Sequence, residues 1–153
     1  MSEVQQRIDV QYAVTADGIP AEESIRQWVE QALPAEYASA ELTVRIVDEA
    51  EITALNRQYR GKDGPTNVLS FPYEAMAGVD AKLLGDVVIC APVVTSEAVV
   101  QHKLLEAHWA HIVIHGVLHL LGYGHHKEDD ANRMETTETG LLAGLGYANP
   151  YDG

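Results

Sequence analysis

All seven histidines of this 153-residue chain lie between His102 and His126, and several fall inside a segment that is otherwise apolar. That combination constrains the fold more than any other feature. A helix that is apolar on most sides is covered by its neighbours, and each imidazole buried with it needs a partner. The segment must therefore lie at the centre of the domain, and its histidines must be satisfied there by other polar groups or by a metal.

Within the cluster, His115-Gly-Val-Leu-His119 places two imidazoles four residues apart. Such a pair projects from one helix face with about 5–6 Å between Cβ atoms, a separation that suits two bonds to one ion. Gly122 can take a left-handed conformation and end the helix. Tyr123 and Gly124 then turn the chain so that His125 returns as a third ligand. The full spacing, His-x3-His-x2-Gly-x2-His, matches the ligand geometry of the metzincin zinc peptidases. Spacing alone also permits a pair at His111 and His115, or His126 in place of His125, but only His115, His119 and His125 use the glycine turn. His111 is expected behind the ligands or in the core, and His102, His108 and His126 on the surface or in packing. The peptidases carry a glutamate base directly after the first histidine. Here that residue is Gly116, which argues against peptide hydrolysis. Three neutral nitrogen ligands leave a divalent ion one open position, as in catalytic zinc sites, whereas structural sites are closed by four protein ligands. A fourth ligand from Asp129, Glu135 or Asp86 would convert the one into the other.

Around this centre the pattern alternates. Arg7–Tyr12 reads as a strand, and the segment from Pro20 to Pro34 as an amphipathic helix through Ile25, Trp28, Val29, Ala32 and Leu33. Glu41–Val47 is the clearest strand. Asp48 caps a helix through Ile52, Leu55 and Asn56. Tyr59–Thr66 reads as a loop, Val68–Phe71 as a short strand ended by Pro72, and Tyr73–Lys82 as a second loop. Leu84–Cys90 is a strand, Val93–Leu105 a helix, then a longer helix through His119, and Met134–Leu145 a last helix. The expected architecture is helices packed on a small mixed sheet. No repeat or linker interrupts it, and 153 residues suit one domain.

The composition is 46% apolar and 22% charged, that of a globular protein. The lone cysteine, Cys90, lies in an apolar run, where an inert buried thiol is expected. The first twelve residues lack the apolar core of a signal peptide, and no apolar stretch approaches the roughly 20 residues that cross a bilayer. A cytoplasmic location and no membrane partner are expected. The net charge of −13 predicts weak non-specific affinity for nucleic acid, because phosphate binding depends on cations that release counterions.

Against that acidity, Asn56–Pro72 (NRQYRGKDGPTNVLSFP) gathers three cations, Arg57, Arg60 and Lys62. An arginine can hold a phosphate through two hydrogen bonds and offset charge that develops on it. Ser70 has no nucleophile motif around it and is expected to be a strand-end hydrogen-bonding group.

Asn56–Pro72, Leu84-Gly85-Asp86-Val87-Val88-Ile89, His115–His125 and Leu145-Gly146 with Pro150-Tyr151 together resemble the YbeY family of metal-dependent endoribonucleases. The match runs in order from Leu55 to Tyr151. The resemblance implies a single α+β domain over residues 1–153, with a small mixed β-sheet and with the metal site on a central helix and the turn after it. It implies one Zn²⁺ per chain on His115, His119 and His125, and a catalytic role for Arg60. It further implies cleavage of single-stranded RNA in maturation of the 3′ end of small-subunit ribosomal RNA, and a part in ribosome quality control. The implied partners are ribosomal RNA, the small ribosomal subunit and ribosome-associated proteins, not DNA. Two positions depart from the family pattern: Asn67 and Gly124 each stand where the family has aspartate. The alternatives are a zinc hydrolase of a non-RNA substrate and a non-catalytic ribosome-assembly factor with structural zinc.

Overall fold

The computed structural model describes residues 7–15, 17–37, 40–73, 83–123 and 128–151. Strand β1 (Arg7–Tyr12) leads into helix α1 (Glu22–Ala32), and a short 3₁₀ turn at Ala35–Tyr37 returns the chain to β2 (Glu41–Val47). Helix α2 (Glu49–Arg60) is followed by β3 (Val68–Pro72) and β4 (Leu83–Cys90). Then come α3 (Ala91–Val100), α4 (Leu105–Leu120) and α5 (Glu128–Gly144). The four strands form one sheet in the order β1-β2-β4-β3. The first three are parallel and β3 runs antiparallel along the β4 edge. This is the expected α+β class, with a small mixed sheet and helices packed on it.

Alternation decides which residues go where. In β2, Leu42, Val44 and Ile46 are buried while Glu41, Thr43 and Arg45 are only partly so. Leu42, Val44 and Ile46 join Val87 and Ile89 of β4 in the larger core, beneath α1, α4 and α5. Residues of the opposite parity, Val88, Cys90 and Leu69, form a smaller core with Val47 and Ile52 beneath α2. Helix α4 is apolar nearly all round and packs against α1, α3, α5, β3 and β4. It is the central element that the histidine-bearing segment required. Cys90 is fully buried, and burial pushes its thiol pKa up, so it is inert as expected.

Three helices have boundaries that differ from those expected. Helix α2 continues through Tyr59 and Arg60, where a loop was expected, because Gly61 caps it in the left-handed conformation (φ 65°) with its N–H donating to Arg57 and Asn56. Helix α3 starts at Ala91 with Pro92 in its first turn, and ends at Val100. The break before α4 centres on His102, whose φ of 55° is unusual for a residue with a side chain. Helix α5 begins at Glu128, ahead of the apolar periodicity that starts at Met134. The expected loop Tyr73–Lys82 lies outside the described residues beyond Tyr73.

Candidate metal centre and active-site cleft

Helix α4 ends as its sequence requires. Gly122 adopts φ 93°, the N–H of Tyr123 donates to Leu118 at 3.1 Å, and that of Gly122 to His119 at 3.1 Å. This pair of bonds satisfies the last carbonyls and needs a left-handed residue at its centre, which glycine supplies. One helical turn back, His115 and His119 share a face. Their Nε2 atoms are 2.9 Å apart, and both side chains line one cleft. His125 and Gly124 lie outside the described residues.

Behind His115 lies Glu138 of α5, fully buried at 0% exposure. Its carboxylate accepts from His115 Nδ1 (3.0 Å), His111 Nε2 (3.0 Å) and the Tyr151 hydroxyl (2.8 Å). Burial alone would raise its pKa, but the hydrogen bonds and charges of His111 and His115 outweigh burial and lower it to about 2. Glu138 is therefore ionised and can only accept. In the neutral imidazoles that fixes both tautomers: His111 carries its proton on Nε2, and His115 carries its proton on Nδ1. His115 Nε2 is left with a lone pair facing His119 and the cleft, the form in which an imidazole binds a metal. Tyr151 is held as a donor, its pKa pushed far up by burial and by the Glu138 carboxylate.

Two donor sets are compatible with a metal. His111, His115 and Glu138 offer ligand atoms within 4.8 Å of one another, a group that could hold an ion. His115 and His119 offer a second, Nε2 to Nε2. A tetrahedral ion with bonds of about 2.0–2.1 Å keeps two nitrogens roughly 3.3 Å apart. The observed 2.9 Å needs to open by only a few tenths of an ångström. The two sets share His115 and differ in access: His111 is buried and does not line the cleft, the buried Glu138 contributes to the cleft wall, and His115 and His119 both line it.

Gly116 lies where the peptidases have glutamate, and its surroundings leave no room for one. A Cβ there would come within 2.5 Å of Val87 Cγ1 and 3.2 Å of Val68 Cγ2. At this point α4 rests directly on β3 and β4, and the Ser70 hydroxyl donates to the Gly116 carbonyl at 2.8 Å. Ser70 is thus the hydrogen-bonding group expected, not a nucleophile.

The cleft, about 740 Å³ in volume, is also lined by Tyr59, Arg60, Asn67, Phe71 and Glu135. Arg60, the last residue of α2, forms no ion pair with a described residue. Arg57, by contrast, is paired with Asp63 at 3.3 Å. Of the three cations in this stretch, Arg60 alone lines the cleft. The departure at Asn67 has a local reason. Its amide donates to both Glu97 oxygens (3.2 and 3.3 Å), and Glu97 also accepts from buried His108 at 2.9 Å. An aspartate would set two carboxylates against each other.

Of the acidic residues considered as a fourth ligand, Glu135 lines the cleft, Asp86 accepts from the Tyr73 hydroxyl at 3.0 Å, and the Asp129 side chain lies outside the described residues. The acid that reaches the histidines is Glu138, which the sequence reading did not single out. Its signal was available: Glu138 lies four residues after Met134 and four before Leu142, both buried, so it occupies the apolar stripe of α5.

The comparisons with known proteins bear on the family and the fold. A family model described as Endoribonuclease YbeY matches residues 9–146. A Thermotoga maritima protein, TM1509, whose solution structure was determined as a structural-genomics target, has the same fold. Its TM-score is 0.59 at 24% identity, covering 97% of this chain and 100% of that one.

Proposed function

The chain belongs to the YbeY endoribonuclease family, and on that basis we propose that it is a zinc-dependent endoribonuclease of single-stranded RNA. Its task is ribosomal RNA maturation at the 3′ end of the small-subunit RNA, with a part in ribosome quality control. Residues 1–153 act as one catalytic domain in the cytoplasm. Its partners are ribosomal RNA, the small subunit and ribosome-associated proteins. His115, His119 and His125 hold one Zn²⁺, which supplies Lewis acidity and acidifies water.

The observation that carries this reading is the orientation of His115. With Nδ1 bound to ionised Glu138, Nε2 is presented to His119 in a cleft that Arg60 also lines. A carboxylate behind a ligand imidazole fixes its tautomer and raises its basicity, so Glu138 acts from behind the site and His111 and Tyr151 hold it there. Arg60 binds the scissile phosphate and stabilises the charge that develops on its oxygens. The contact of Gly116 with the sheet weighs against a peptidase, and the open cleft weighs against a purely structural ion.

The test divides metal-free protein into two halves, restores zinc to one, and assays both on a short RNA carrying a small-subunit 3′ end. His119→Ala and Arg60→Ala samples run alongside. Cleavage is expected only with zinc and only with His119. Arg60→Ala is expected to lose about 10²–10³-fold in rate, the scale of one lost oxyanion-type donor. Equal cleavage in all samples would assign the activity to a contaminant.

A further inference from the structure

The cleft extends past the histidines. Alternate residues of β3 face opposite sides of the sheet: Ser70 bonds to α4, while Leu69 and Phe71 pack on the α2 side. The cleft is lined by residues of both sets together with His115 and His119, so it wraps over the free edge of β3. Two aromatic rings, Tyr59 and Phe71, also line it. Tyr59 is 59% exposed, and its ring meets Phe71 edge-to-face, with centroids 5.1 Å apart at 68°. Phe71 is anchored by the smaller core, and α2 fixes Tyr59 beside Arg60. The contact with one ring leaves most of the Tyr59 side chain open to solvent.

We propose that Tyr59, backed by Phe71, is a stacking platform for a nucleobase of the RNA strand whose phosphate is held by Arg60. The inference rests on the endoribonuclease reading and extends it by naming the subsite that selects single strands. Electrostatics make such a subsite necessary. The chain carries a net charge of −13, Arg57 is neutralised by Asp63, and among the described residues Arg60 is the cation that lines the cleft. Phosphate contacts therefore contribute little affinity, since that contribution scales with the cations engaged. Base–aromatic stacking does not depend on net charge, tolerates any base, and requires a base that is not stacked within a duplex. A strand crossing the β3 edge would present one phosphate to Arg60 and a neighbouring base to Tyr59.

The experiment measures KM and kcat of the zinc-loaded protein on a short single-stranded ribosomal 3′-end RNA, and on versions with one abasic nucleotide moved along the strand. The variants are Tyr59→Phe, Tyr59→Ala and Tyr59→Leu, the last keeping apolar contact with Phe71 but offering no π face. Thermal melts establish that each is folded. Tyr59→Phe is expected to match wild type, while Ala and Leu raise KM about 5- to 150-fold, the range for one lost stacked base, with kcat little changed. One abasic position should raise the wild-type KM by a similar factor and have no further effect in Tyr59→Ala. The salt dependence of KM should be the same in Tyr59→Ala as in wild type. Unchanged KM in Ala and Leu, or abasic effects that simply add to Tyr59→Ala at every position, overturns the platform while leaving the nuclease reading standing. Wild-type protein that neither binds nor cuts the RNA overturns both.

Discussion

Replacing Glu138 by glutamine tests the metal centre with almost no change of shape. The carboxylate accepts from three groups, with His115 nearer one oxygen (3.0 against 3.3 Å), His111 on the other and the Tyr151 hydroxyl on both. A glutamine keeps one accepting oxygen and turns an NH₂ toward one of the two imidazoles. If it faces His115, that ring must move its proton to Nε2 and gives up the lone pair that faces His119. If it faces His111, the proton must move to Nδ1, which is buried without a hydrogen-bond partner among the described residues. Either route loses one charge-assisted hydrogen bond, worth about 1.5–3 kcal/mol. Removing a buried charge offsets part of that loss. At about 2–4 °C per kcal/mol for a domain of this size, the full loss would lower the melting temperature of the metal-free protein by about 3–12 °C, and the offset brings the expected drop below that. Zinc affinity, measured by competition with a chromophoric chelator, should fall about 10- to 100-fold. His119→Ala should lose more, because it removes a ligand. The opposite order refutes the reasoning: zinc binding abolished in Glu138→Gln but retained in His119→Ala would place the ion on His111, His115 and Glu138. Unchanged affinity in Glu138→Gln would remove the orienting role altogether.

Other perturbations probe the surrounding packing. Gly116→Ala forces a methyl against Val87 Cγ1; overpacking costs about 1–3 kcal/mol against roughly 1 gained in helix propensity. Melting temperature and zinc affinity should therefore both fall, and a stabilised variant would contradict the close contact described. Asn67→Asp sets a carboxylate against Glu97 and should destabilise by about 1–2 kcal/mol at neutral pH, the loss shrinking in acid as one carboxyl takes a proton. A pH-independent loss would mean that charge is not the cause. His108 is buried, and burial lowers its pKa despite its bond to Glu97. The unfolded chain therefore binds more protons, so His108 lowers stability as pH falls below about 6.5. His108→Gln should flatten that part of the stability–pH curve, and an unchanged slope would show that His108 does not titrate on unfolding.

The parts of the fold governed by periodicity were legible. Strict alternation in Glu41–Val47 and the apolar spacing of α1 follow from geometry that repeats along the chain. Boundaries set by single residues were not. His102 ends a helix by adopting a left-handed conformation that its side chain does not advertise. Arg60 and Tyr59 looked like loop residues because the Gly-Lys-Asp-Gly-Pro stretch begins beside them, yet the cap falls at Gly61. His115 and His119 were readable because helical spacing places both on one face. The group that orients His115 was harder to find, since Glu138 comes from another helix and meets His115 only through the packing of α5 on α4. His125, the third histidine expected from the spacing, lies outside the described residues.

The contact of Gly116 with the sheet also bears on how such a chain can change over generations. A single base separates two of the four glycine codons from those of glutamate, so in the genetic code such a helix can stand one step from the peptidase motif. In space the step is closed: the new side chain would enter where Val87 and Val68 already meet the helix. Reaching that chemistry would require α4 to lift off β3 and β4 first, which means recutting the core before the new base could serve. Two lineages can therefore share a histidine spacing and stay chemically separate, divided by the depth at which one helix rests on its sheet.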